Sequence, residues 1–115
     1  MENELRRLLD ENACEKLITE YFQLVDFGNS SAIPELFTQD GRLSGPGIEM
    51  VGQEEIRAFL SERQLIERRQ SRHLCTNILI HIDGDQATSR CYLLNFRHDS
   101  QTGVAESPAP SGLPK

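Results

Sequence analysis

Between Leu5 and Val25 the apolar residues return at helical spacing. Leu17 and Ile18, Tyr21 and Phe22, and Leu24 and Val25 form one stripe, with Glu15, Lys16, Glu20 and Gln23 mostly off it. The pattern predicts a first helix. Phe22 and Asp26 are four apart, as are Ile18 and Phe22, so Asp26 continues the buried stripe and not the wet face. Gly28 stops the helix. Asn29, Ser30 and Ser31 then offer N-caps for a short second helix, with Pro34 in its first turn and Ile33, Leu36 and Phe37 for packing. After Asp40-Gly41, Arg42 to Ser44 and Ile48 to Val51 form a hairpin around Gly45, Pro46 and Gly47. Gly52 and the acidic Glu54 and Glu55 open a third helix that runs to about Arg63 and packs through Ile56, Phe59 and Leu60.

The clearest signal is a pair of long strands, Ser71 to Ile82 and Gln86 to Arg97, around the turn dipeptide Asp83-Gly84. Alternation puts Leu74, Thr76, Ile78, Ile80 and Ile82 on one face and His73, Cys75, Asn77, Leu79 and His81 on the other. A two-residue turn at Asp83-Gly84 sets His73 opposite Leu94, Cys75 opposite Tyr92 and Asn77 opposite Arg90, with His98 on the His73 face; a three-residue turn reverses that parity. Helices cover one face of such a sheet. The stripe Ile78, Ile80 and Ile82 then needs another cover, and a homodimer is expected. Residues 99–115 hold three of the five prolines and no periodic pattern, so they read as a loop or tail after a single α+β domain over residues 1–98.

Size and charge narrow the function. A chain of 115 residues fits one domain with its own core. A net charge of −6 excludes an electrostatic nucleic-acid binder, which needs a basic surface. The one basic cluster, Arg63, Arg68, Arg69 and Arg72, is interleaved with Glu62 and Glu67; it reads as a solvated face, with the rim of an anionic-ligand site as the alternative. The charged N-terminus lacks the apolar core of a secretory signal and no apolar stretch is long enough to span a membrane, so a cytoplasmic protein is expected. Cys14, Cys75 and Cys91 show no zinc or redox spacing, and Cys75 and Cys91 read as small buried hydrophobes. No metal or other cofactor is expected.

The ionisable groups that remain suggest acid–base chemistry. Asp26 ends the first helix and His73 opens the best strand, two elements that must pack together; an imidazole oriented by a carboxylate is the simplest general base. Spacing alone leaves the plainer readings open, a helix-end aspartate that caps a neighbour and a hydrogen-bonded core histidine. His81 lies eight residues from His73, roughly 26 Å along a strand, and belongs to the hairpin tip. His98 falls roughly 13 Å beyond the partner of His73 and reaches the site only through an elongated ligand, a bulge or sheet curvature. Phe22, Phe27 and Met50 are core candidates first and pocket walls second.

Taken in order, Tyr21-Phe22-Gln23-Leu24-Val25-Asp26, Leu36-Phe37-Thr38-Gln39-Asp40-Gly41, Val51-Gly52-Gln53-Glu54-Glu55-Ile56 and Arg72-His73-Leu74-Cys75-Thr76-Asn77, leading into Asp83-Gly84-Asp85-Gln86-Ala87, give the chain a familiar outline. The set resembles the SnoaL-like branch of the nuclear transport factor 2-like superfamily, which includes scytalone dehydratase, ketosteroid isomerase and hexachlorocyclohexane dehydrochlorinase. The likeness covers about residues 10–98. It implies a cone-shaped, curved antiparallel sheet wrapped around N-terminal helices, the cystatin-like α+β architecture, with an apolar ligand pocket and common dimerisation. It implies catalytic roles for His73 and Asp26 and a pocket place for His98; Asn77, Tyr92 and Phe22 are the further candidates for substrate contact. Tyr21 does not align cleanly with a dehydratase tyrosine and is assigned to the core. Relatives continue into two further strands after a proline-containing loop; the chain ending at Lys115 is expected to be a fragment or to leave a sheet edge for a partner. The function implied is a cofactor-independent lyase or isomerase acting on a small, largely apolar or cyclic substrate. The alternative is a noncatalytic ligand-binding or dimerisation module of the same fold.

Overall fold

The computed structural model describes residues 2–99 and 109–110. Helix α1 spans Glu2–Asp26 and is followed by a 3-10 helix, Ser30–Leu36; strands β1 (Arg42–Gly45) and β2 (Ile48–Val51) precede helix α2 (Gln53–Gln64). Strands β3 (Arg69–Asp83) and β4 (Gln86–Asp99) form the long hairpin, and Ala109–Pro110 adds β5. The sheets are an antiparallel pair β1-β2 and an antiparallel trio in the order β3-β4-β5. β5 pairs Pro110 with Phe96 and Ala109 with Arg97, so part of the stretch expected to be an irregular tail lengthens the sheet. The neighbouring residues of that stretch, 100–108 and 111–115, lie outside the described residues.

The C-terminus of α1 is closed by backbone geometry. Asn29 N–H donates to Leu24 O at 2.8 Å and Gly28 N–H to Val25 O at 3.4 Å, the paired bonds that finish a helix when the next residue turns left-handed. Gly28 has a φ of 79° and supplies that turn at no steric cost. The second helix is a 3-10 segment because Pro34 lies inside it and has no N–H to donate back to Ser30. Ser30, expected as a cap, is buried instead and donates from Oγ to Leu60 O at 2.8 Å, tying this segment to α2. The buried core is Ile33, Met50, Ile56 and Leu60, with Tyr21, Leu24, Val25, Phe37 and Leu43 packed around it. Each such aliphatic side chain contributes about 1.5–3 kcal/mol by leaving water. Phe27, a core candidate by sequence, is 60% exposed because it follows the last turn of α1 and carries the Arg72 guanidinium 4.6 Å from its ring centre.

Two features of the long hairpin depart from the sequence expectation. The two-residue turn is Gly84-Asp85, flanked by the pair Asp83 and Gln86, with Gly84 at φ 61° in the position a II′ turn reserves for glycine. That shifts the register by two and leaves the faces unchanged. Farther along, the pairing jumps from Leu79 with Arg90 to Thr76 with Tyr92, so Asn77 and Ile78 both oppose Cys91. This is a β-bulge, and Asn77 sits in it at φ 55°. One extra residue exchanges the faces beyond it.

The consequence overturns the expected Ile stripe. Ile78, Ile80 and Ile82 are half-buried and share the inner face with His73 and Cys75, while Leu74, Thr76, Leu79, His81 and Asp83 are exposed. Ile82 lines a cleft with Asp10, Ala13 and Cys14 of α1. The observed pairs are His73 with Asn95, Cys75 with Leu93 and Leu79 with Arg90, in place of His73 with Leu94, Cys75 with Tyr92 and Asn77 with Arg90.

Candidate active site

The inner face of the hairpin has a graded composition. From the open end toward the tip its opposed pairs are Arg69 with Asp99, Ser71 with Arg97, His73 with Asn95 and Cys75 with Leu93; past the bulge they become Ile80 with Ser89 and Ile82 with Ala87. Charge lies at one end, hydrocarbon at the other. His73 occupies the boundary.

Asp26 reaches His73 from the last residue of α1, and the carboxylate is used twice. Oδ1 lies 2.5 Å from His73 Nδ1, and Oδ2 accepts the His73 backbone N–H at 2.8 Å. The neighbouring residue grips the same helix end: Arg72 Nη1 donates to Asp26 O at 3.3 Å and to Ser71 O at 2.6 Å. A cation on a terminal helix carbonyl is favourable both as a hydrogen bond and against the helix dipole. Two consecutive residues of β3 thus fix one residue of α1, which sets the axial position of helix against sheet.

The side chains of His73 and Asp26 are 13% and 7% exposed. Phe22, one turn before Asp26, stacks on the imidazole with centroids 4.9 Å apart and planes 25° from parallel. Ring orientation is therefore constrained by a face and an edge. A carboxylate can only accept, so Nδ1 carries the proton in the neutral ring and Nε2 is left with its lone pair. That tautomer is the one a base needs.

Around the pair, Thr19, Gln23, Phe27, Leu74 and Cys75 complete a cleft of about 360 Å³. Burial pushes the Cys75 thiol up to about 11, with Cys91 and Asp26 adding to the effect, so this sulfur is a neutral wall and not a thiolate nucleophile near pH 7. Burial likewise raises the Tyr21 hydroxyl. Tyr21 packs on the core, as expected, and lies edge-on to Phe22 and Phe37.

The other sequence candidates fall elsewhere. Tyr92 opposes Thr76 on the outer face and is 71% exposed. His98 opposes Gln70, on the face opposite His73, because the observed register makes Asn95 the partner of His73. Asn77 is exposed in the bulge. Residues not anticipated at the site are Asn95 and Arg97, which the register brings to the His73 face, and Ser71, which shares that face by alternation along β3. The available signal was Asn77 itself, a left-handed-prone residue in the middle of a strand pattern. Among the described residues no group of three or more His, Cys, Asp or Glu side chains could hold a metal ion. Among them, too, no helix is long and apolar enough to cross a membrane.

Residues 6–109 match the profile of the SnoaL-like domain. The chain belongs to the SnoaL-like domain family. Solved structures agree on the architecture. A nuclear transport factor 2-like protein with a cystatin-like fold from Novosphingobium aromaticivorans has 28% identity and a TM-score of 0.74, over 91% of this chain and 69% of that one. A protein provisionally named a scytalone dehydratase from the same organism has 15% identity and a TM-score of 0.70, over 95% and 97% of the two chains, and supports the fold alone. A Catenulispora acidiphila protein in complex with S-DNPA has 25% identity and a TM-score of 0.61, over 73% and 63%. A protein of unknown function from Mycobacterium tuberculosis is 22% identical with a TM-score of 0.69; this SnoaL-like domain covers 77% of itself and 55% of that protein in the match. Curated proteins yield no match. The fold is therefore α+β of the nuclear transport factor 2-like, cystatin-like type.

Proposed function

We propose that this SnoaL-like domain is a cofactor-independent lyase or isomerase in which His73 is the general base. The observation that carries the reading is the double use of the Asp26 carboxylate, one oxygen on the ring and the other on the backbone of the same residue. Neutral His73 takes a proton from carbon or oxygen of a small, largely apolar or cyclic substrate through Nε2. Asp26 holds the tautomer and stabilises the imidazolium that forms, and Phe22 keeps the ring in plane. The proton then returns at another position in an isomerisation, or leaves with the eliminated group in a lyase reaction.

The test is turnover of a panel of hydroxylated and halogenated cyclic compounds by the wild type, His73→Ala and Asp26→Asn, beside thermal-shift binding of the same compounds. Loss of turnover in both variants with retained folding supports the base. Binding without turnover in the wild type, or equal turnover in all three, supports the noncatalytic ligand-binding module instead.

Assembly as a homodimer is part of the same proposal, carried now by different residues. Leu74, Leu79, Tyr92 and Leu94 are 46%, 57%, 71% and 46% exposed on the outer face of the hairpin, an apolar surface that a second copy would cover. Light scattering at micromolar concentration checks it: a dimer is expected, and Tyr92→Glu is expected to give the monomer. A monomeric wild type refutes the proposed assembly.

A further inference from the structure

The charged end of the inner face lies outside the proton-transfer pair. Arg69 Nε donates to Asp99 Oδ1 at 2.9 Å, and Arg97 lies 3.6 Å from the other oxygen of the same carboxylate. Arg63 comes from the last turn of α2 and donates to Ser71 Oγ at 3.3 Å. Two guanidiniums thus contact one carboxylate, and a third lies on the neighbouring Ser71 hydroxyl. Arg63 and Arg69 also line a cleft of about 500 Å³ that reaches Arg72 and Asp26, with exposed Glu67 at its rim. Setting Asp26, Glu62, Glu67 and Asp99 against Arg63, Arg68, Arg69, Arg72 and Arg97 leaves a local formal charge of +1 in a chain whose net charge is −6.

Burial first, then the neighbouring Arg69 and Arg97, push the Arg63 guanidinium below its ordinary value, while Asp99 and Asp26 act in the opposite direction. Arg97 has a half-exposed side chain, and among the described residues its ion-pair contact is the long one to Asp99.

Resting on the proposed proton-transfer site, we infer that Arg63 and Arg97 bind an anionic oxygen group of the substrate, a carboxylate or phosphate, and set which carbon faces His73. The geometry is simple. Ser71, which Arg63 contacts and Arg97 opposes, precedes His73 by one same-face step, roughly 7 Å along the strand. A ligand anchored there has its next few atoms beside the imidazole and its remaining body against Cys75, Leu93 and the Ile78 to Ile82 face. The substrate class is an amphiphilic acid: charged head, acidic C–H or O–H a few bonds away, apolar or cyclic body. An anion near His73 also favours the imidazolium formed on proton transfer.

The experiment uses 1-naphthoate, 1-naphthyl phosphate and neutral 1-naphthamide as probes. Their binding is measured by calorimetry to the wild type, Arg63→Gln, Arg97→Gln and the control Arg90→Gln, which removes one charge from the outer face. The expected result is that at least one anion binds about 10-fold or more tightly than the amide, and that Arg63→Gln and Arg97→Gln each remove most of that preference while Arg90→Gln does not. The stronger of the two anions assigns the head group. Equal binding of all three probes, no binding of either anion at millimolar concentration, or identical effects of all three Gln variants overturns the inference. Arg97 is on the rim, so Arg97→Gln is expected to fold, and far-UV circular dichroism verifies it. Anion preference in a protein with no turnover sinks the enzyme reading and leaves this site standing; turnover without anion preference does the reverse.

Discussion

The unit made by the 3-10 helix, β1, β2 and α2 closes over Ile33, Ile56 and Leu60, which are 0%, 0% and 2% exposed. Helix α1, which lends Tyr21, Leu24 and Val25 to the edge of that core, has no fully buried residue and meets the hairpin through Asp26, Phe22 and half-buried strand positions. One unit is held by dry packing, the other by a few directional polar contacts. Packing depends on volume and tolerates neighbours of many kinds; a carboxylate shared between a ring and a backbone amide tolerates almost no displacement. The difference assigns stability to the first region and chemistry to the second.

That contrast can be broken most directly at the pair. Asp26→Asn can still accept from the His73 amide, but its NH₂ donates to Nδ1 and forces the proton onto Nε2, the wrong tautomer for a base. Turnover is expected to fall by on the order of 10²–10⁴, as for His73→Ala. Stability of Asp26→Asn in urea is expected to change by only about 1 kcal/mol. A large loss of stability with unchanged turnover would reverse the roles given to the two regions.

The opposite signature is expected from the packed unit. Ile56→Ala should cost about 2–5 kcal/mol, read from urea titration, because the site is fully enclosed and cannot collapse easily. Its turnover per folded molecule should stay within a small factor of wild type.

The bulge gives a smaller and sharper test. Asn77→Gly should leave stability unchanged or raise it by up to about 1 kcal/mol, and Asn77→Val should lower it by about 1–3 kcal/mol, because φ 55° suits glycine and excludes a β-branched residue. Equal stability of the two variants by urea titration would mean that the left-handed conformation is not what fixes the register.

The smallest effect expected is alkaline. Cys75 titrates at about 11 in the folded state, above its ordinary value of 9.0, so the unfolded chain releases this proton first. Its contribution is complete below pH 9 and is lost as the pH rises toward 11. Urea midpoints should therefore fall over that window, and Cys75→Ala should flatten the decline; an unchanged slope would place the thiol in water.

The elements were legible because they rest on local periodicity. The stripe that ends at Asp26, the Gly28 stop, the Pro46-Gly47 turn and the paired strands each follow from residue type and spacing. The meeting of Asp26 and His73 was legible too, since both belong to elements whose apolar faces had to join. What periodicity could not supply was phase across the hairpin.

A turn placed two residues off changes no face, but one residue inserted at Asn77 exchanges all of them beyond it. Before the bulge, alternation counted correctly from His73; after it, Ile78, Ile80 and Ile82 turned inward and the exposed apolar surface became Leu74, Leu79, Tyr92 and Leu94. The same register carried His98 away from His73 and brought Asn95 and Arg97 to its face. Sequence by itself determined which segments are helix or strand, because that depends on short-range pattern. Tertiary structure decided which β4 residues face the pair of Asp26 and His73, because strand parity across the hairpin is set by one backbone irregularity at Asn77.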